Sequence, residues 1–147
     1  MIPRRGHAGV STSDLIARPI TLDPDPFEPF FISQGFRIGD LILLSGQVGM
    51  DEHGNSVGQG DFDAQADQAM RNIGRALAAA GSSIAQIVKV TIYITDMTYR
   101  PNVFQMRKRW FSKPYPADTL VGVKELGRPE RLIEMDATAL ARGRIER

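Results

Sequence analysis

Apolar and polar positions follow two rhythms along this chain. Leu41-Ile42-Leu43-Leu44 is an uninterrupted apolar run between Gly39-Asp40 and Ser45-Gly46-Gln47. A short run bounded by turn residues predicts a strand covered on both faces. Phe31 to Phe36, aromatic and β-prone, pairs with Leu41 to Gln47 as a hairpin around Ile38-Gly39-Asp40. Ser45 and Gln47 put polar groups at the end of a buried strand, where they need partners. Gly46 lets a backbone or a ligand come close. A plain turn and a bound molecule both satisfy that pattern.

The helical rhythm is clearest at Ala66, Ala69, Met70, Ile73, Ala76, Leu77 and Ala80, spaced by three and four. Asp61 or Asp63 caps the start and Gly81 stands at the C-terminal glycine position. Ile87 to Thr95 returns to period two, with Val88, Val90, Ile92 and Ile94 facing one way and Lys89, Thr91, Tyr93 and Thr95 the other. Pro101 suits the first turn of a second helix, whose stripe is Val103, Met106 and Trp110; Pro114 and Pro116 end it. Strands follow at Thr119 to Val123 and Leu132 to Leu140. The order β-β-α-β-α-β-β predicts a mixed sheet with both helices on one face. The opposite face, with Thr91, Tyr93, Glu134, Asp136 and Val121, is left to water or to another subunit. Residues 1–29, rich in proline, read as an extension with at most a short strand from Ala17 to Leu22.

Composition narrows the function. The chain has 147 residues, enough for one core. No cysteine is present, which excludes disulfides and thiol catalysis and fits a cytoplasmic protein. His7 and His53 are far apart, which argues against a metal site or a histidine triad. The formal net charge of +1 gives no electrostatic case for nucleic acid. No apolar stretch approaches the roughly 20 residues of a membrane span, and Met1 to His7 lacks the apolar run of a secretory signal. Arg107-Lys108-Arg109 reads as a solvated helix face.

Ser33-Gln34-Gly35, Gly39-Asp40-Leu41-Ile42, Ser45-Gly46-Gln47, the alanine-rich helix through Asn72 and Leu77, Val88-Lys89-Val90-Thr91, Asp96, Pro116-Ala117 and Glu134-Met135-Asp136-Ala137 occur in that order. Together they resemble the reactive-intermediate deaminase (RidA/YjgF) family over residues 30–142, leaving a tail at 143–147. The resemblance implies a chorismate-mutase-like α/β fold and a homotrimer with a central barrel and clefts between subunits. It implies hydrolysis of amino-acid-derived enamines and imines without metal or organic cofactor. Glu134 matches the acidic residue that positions the attacking water, and Ser45 and Gly46 match the substrate pocket. The family's carboxylate-gripping arginine falls at Asp118, and an amide of the second helix falls at Phe104.

An aspartate in place of that arginine changes the local charge by two units and disfavours an anionic substrate. Asp118 is expected either to enter the site, near enough to Glu134 to share a proton, or to face solvent or pair with Arg107, Arg109 or Lys113. Two functions compete: hydrolysis of an imine, enamine or related C–N substrate other than the usual amino-acid-derived ones and lacking their carboxylate, and non-catalytic binding of a small neutral or cationic metabolite in trimer clefts. Nucleic-acid cleavage and translational inhibition, names also attached to the family, lack support in charge or aromatic pattern.

Overall fold

The computed structural model describes residues 15–146. Residues 1–14, most of the expected extension, and residue 147 of the expected tail lie outside that range. The elements are β1 (Ala17–Pro19), β2 (Gly35–Ile38), β3 (Leu41–Leu44), β4 (Gln47–Val48), α1 (Phe62–Ala79), β5 (Ile87–Ile94), α2 (Arg100–Trp110), β6 (Ala117–Gly122) and β7 (Ile133–Leu140). They form one mixed sheet of order β1-β2-β3-β7-β5-β6, with β4 also paired to β7. Only β5 and β6 run parallel, and α2 makes the crossover between them.

Asp61 caps α1, its carboxylate accepting the Ala64 N–H at 3.1 Å. Gly81 follows the helix at φ 82°, where a side chain would be strained. The small residues Ala66, Ala69 and Ala76 are fully buried and let α1 lie close to the sheet. Val103 and Met106 bring α2 onto the same face, and the stacked rings of Phe62 and Tyr99 join α1 to the turn that precedes α2, 4.4 Å apart. Pro101 sits in the first turn of α2, as its missing N–H allows.

Four features depart from expectation. The run Leu41–Leu44 is covered on one face only: Ile42 is 0% exposed, whereas Leu41 and Leu43 are 41% and 42% exposed. Both helices pack on the same side, so among the described residues no helix covers the other. The packed unit also begins before residue 30. Pro19 pairs with Phe36 on an edge strand, where a missing N–H is tolerated, and Ile20 and Phe27 are buried. Phe30 and Phe31 leave the hairpin for a short 3-10 turn, and the ladder starts at Gly35. In β5 a bulge between Ile87 and Lys89 takes Val88 out of the alternation, leaving Ile87 buried in its place.

Candidate functional site

The decisive local event is a break in the strand that the apolar run begins. β3 pairs with the C-terminal half of β7 (Leu43 opposite Thr138), and β4 resumes against its N-terminal half (Val48 opposite Glu134). Ser45 and Gly46 bow out between them. Ser45 is tied back by its Oγ, which donates to the Ser33 carbonyl at 2.6 Å, and by its N–H to the Gln34 carbonyl at 2.9 Å. Gly46 lies against the Glu134 side chain. A Cβ there would stand 2.9 Å from Glu134 Cδ and closer still to Oε1, so only glycine leaves the carboxylate its place.

These residues line one cavity of about 290 Å³ with Phe27, Phe30, Ile32, Val48, Met50, Gly127, Arg128 and Arg131. Its walls are mainly apolar, with one carboxylate and two guanidinium groups. Burial pushes the Glu134 carboxyl above the ordinary glutamate range; Arg131 pulls it back in part, and Asp136 adds to the rise. Asp136 is itself raised by burial, although the Tyr93 hydroxyl donates to it at 3.4 Å. The result is a half-buried carboxylate with heightened proton affinity beside a glycine and a serine. Chemically, that suits a general base.

Four buried polar side chains brace this cavity. Gln47 Nε2 donates to Gln34 Oε1 at 2.9 Å, and Gln34 Nε2 donates to Asp25 Oδ1 at 2.8 Å. Asp25 also accepts the Phe27 N–H at 3.0 Å, which fixes the aromatic wall. Asn72 on α1 donates to the carbonyls of Val48 and Met50 at 2.9 and 2.8 Å. Gln65, two turns before Asn72 on the same face of α1, donates to the Gly58 and Glu130 carbonyls and accepts the Leu132 N–H at 2.8 Å. It thereby holds the loop that carries Arg128 and Arg131.

The other two expected site residues lie elsewhere in the chain. Phe104 and Asp118 line a separate cavity of about 640 Å³ with Arg107, Lys108, Phe111, Tyr115 and Pro116. Asp118 is opposite the fully buried Val90, on the helix-covered face, whereas Glu134 is opposite Tyr93, three residues on and on the other face. Within one chain they therefore do not share a proton. Asp118 instead accepts a two-pronged bond from Arg107, Nε to Oδ2 at 2.8 Å and Nη2 to Oδ1 at 2.6 Å. Phe104 is 61% exposed on α2.

Of the site residues read from the sequence, the structure brings Glu134, Ser45 and Gly46 together in one cavity; Arg131, Arg128 and the bracing Gln65 and Asn72 were not among them. Gln65 and Asn72 did carry a signal, because they share the apolar face of α1 with Ala69 and Ala76 at four- and three-residue steps. Arg131, on an irregular loop, carried none. Among the described residues no cluster of His, Asp and Glu is placed to hold a metal ion, and no helix is long and apolar enough to cross a membrane.

The chain is 32% identical over 123 residues to a 2-iminobutanoate/2-iminopropanoate deaminase of Dermatophagoides farinae, covering 84% of this chain and 93% of that one. The human protein of the same name is also 32% identical, over 128 residues, with 87% and 93% covered. Among solved structures, RidA from an Antarctic Psychrobacter superimposes with a TM-score of 0.77 at 28% identity, over 84% of this chain and 98% of its own. A Thermotoga maritima protein described as a putative endoribonuclease reaches 0.79 at 31% identity, over 87% and 100%. The family model described as Endoribonuclease L-PSP matches residues 22–141. On this evidence and its YjgF-type fold, the chain belongs to the endoribonuclease L-PSP, or reactive-intermediate deaminase (RidA/YjgF), family.

Proposed function

We propose that this protein hydrolyses an imine, enamine or related C–N substrate, with Glu134 activating the attacking water. The observation that carries this reading is the half-buried Glu134 carboxylate, its proton affinity raised by burial, held against Gly46 in a small cavity. Glu134 takes a proton as the water oxygen adds to the imine carbon, giving a carbinolamine. The same carboxyl returns that proton to nitrogen, then takes the hydroxyl proton and hands it on to nitrogen as the C–N bond breaks, so that ammonia and a carbonyl product leave and the carboxylate is regenerated. The relatives named as 2-iminobutanoate/2-iminopropanoate deaminases support this class of reaction.

The way the substrate is held is proposed to differ from theirs, because the residue after Pro116-Ala117 is Asp118, already engaged by Arg107. The protein is further proposed to act as a homotrimer. Phe36, Leu41 and Leu43 lie on the sheet face that the helices leave bare, and the Phe104–Asp118 cavity opens on the opposite side from Glu134. A trimer would cover the first and set one copy's Glu134 cavity against a neighbour's Phe104–Asp118 cavity.

The test is ammonia release from a panel of imines, carboxylated and neutral, generated in the presence of pure protein. Acceleration above spontaneous hydrolysis for at least one of them is the expected result. No acceleration with any, alongside saturable binding of a small molecule, would favour the non-catalytic binding reading.

A further inference from the structure

We infer that Arg131 is the carboxylate-binding residue of this pocket, so that its ligand is a compact organic acid held from the loop at 127–132 rather than from β6. The inference rests on the Glu134 cavity serving as the site, although it needs no hydrolysis.

Arg131 lines the same cavity as Ser45, Gly46 and Glu134. Among the described residues its guanidinium meets no carboxylate in an ion pair, its Nε is buried without a partner, and Nη2 has only the weak acceptor Met50 Sδ at 3.7 Å. A half-buried guanidinium whose Nε is sealed from solvent lacks, in that condition, the oxygen acceptors it normally finds. The neighbouring carboxylates do not grip it: Glu130 accepts from Ser56 Oγ at 2.7 Å, and Glu134 acts on it through its charge without forming an ion pair. Arg128 adds a second positive charge to the wall, its Nη1 resting on the Gly54 carbonyl at 3.4 Å.

The position is built rather than incidental. Gln65 grips the loop on both sides of Arg131 through the Glu130 carbonyl and the Leu132 N–H, and the Arg131 N–H turns back to the Arg128 carbonyl at 3.1 Å. Two guanidinium groups against the single carboxylate of Glu134 leave the cavity short of one negative charge, which a monocarboxylate supplies. A volume of about 290 Å³ holds on the order of ten water-sized groups at ~30 Å³ each, so the acid is small. The phenyl groups of Phe27 and Phe30 give its tail an apolar wall.

The probes are 2-oxobutanoate and its methyl ester, the same skeleton without the charge, titrated calorimetrically into the full-length protein. Wild type is expected to bind the acid at least about tenfold more tightly than the ester. Arg131→Gln should weaken the acid by about ten- to a hundredfold and erase its advantage over the ester, with Arg131→Lys between. Glu134→Gln should tighten the acid, since it removes a nearby negative charge. Equal acid and ester affinity in wild type overturns the inference even if Arg131→Gln fails to fold, and so does an Arg131→Gln protein that binds the acid like wild type. No binding of the acid at millimolar concentration overturns it too. An acid site lost with Arg131 in a protein that releases no ammonia would leave the clamp standing and remove the hydrolase reading. Ammonia release with acid binding indifferent to Arg131 would do the reverse.

Discussion

Gly46→Ala is the substitution that separates the fold from the chemistry. The new methyl would stand 2.9 Å from Glu134 Cδ and 3.1 Å from Cγ, against the 3.4 Å at which ordinary contact begins. The Cδ carbon must therefore retreat by about half an ångström (3.4 minus 2.9), and Oε1, nearer still, by more. Nothing in the backbone resists the alanine, because Gly46 does not occupy the left-handed region. The clash falls on the far end of a flexible side chain, so the cost to stability is small and is partly offset by the roughly 0.4–1 kcal/mol that Gly→Ala takes from the unfolded chain's freedom. Catalysis has no such latitude. Displacing a base by about an ångström costs on the order of a hundredfold. Gly46→Ala is thus expected to keep its thermal midpoint within a few degrees while kcat falls about a hundredfold in the ammonia-release assay. The double variant Gly46→Ala/Glu134→Gln should be no slower than Glu134→Gln alone, because both act on one carboxylate. An active Gly46→Ala protein, or a double variant in which the two losses multiply, would refute the placement of Glu134 as base.

Four further outcomes follow from the same geometry. With Glu134 raised by burial, kcat/KM should fall as pH drops, with a midpoint above the ordinary glutamate value of about 4.3, and Arg131→Gln should move that midpoint higher. Stability carries its own sign: a carboxyl whose proton affinity rises on folding contributes most below its unfolded pKa and loses that contribution as pH rises through the folded one. Urea titrations should therefore show Glu134→Gln gaining on wild type as pH rises. Asn72→Ala leaves the Val48 and Met50 carbonyls without their donors and should cost about 2–4 kcal/mol by urea denaturation; a loss below about 1 kcal/mol would contradict the bracing role. Asp118→Asn breaks a partly exposed ion pair with Arg107 and should change stability by no more than about 1 kcal/mol in the same assay.

Much of the fold was legible because its signals are periodic. The α1 stripe, the Asp61 cap, Gly81 and the alternation of β7 each state a local preference that packing does not override. The break at Ser45-Gly46 was not legible in the same way. The apolar run points straight on to Gln47, and what stops it is a pair of bonds to Ser33 and Gln34, on the segment leading into the neighbouring strand. The bare face of Leu41 and Leu43 escaped notice because an apolar run does not say which of its sides the chain will cover. Within the site, Glu134 and Gly46 were recognisable from their motifs, and pairing with Arg107 was one of the expected fates of Asp118. Arg131 reaches the cavity only through the path of a loop pinned by Gln65, a contact 67 residues apart in sequence that no local pattern announces.

The most direct test of the account is ammonia release by wild type and Glu134→Gln side by side, on the best imine of the panel, near neutral pH and with spontaneous hydrolysis subtracted. General-base participation is typically worth 10²–10⁴-fold. The account predicts that Glu134→Gln, folded and assembled like wild type, loses rate within that range. A Glu134→Gln protein that releases ammonia as fast as wild type would contradict it.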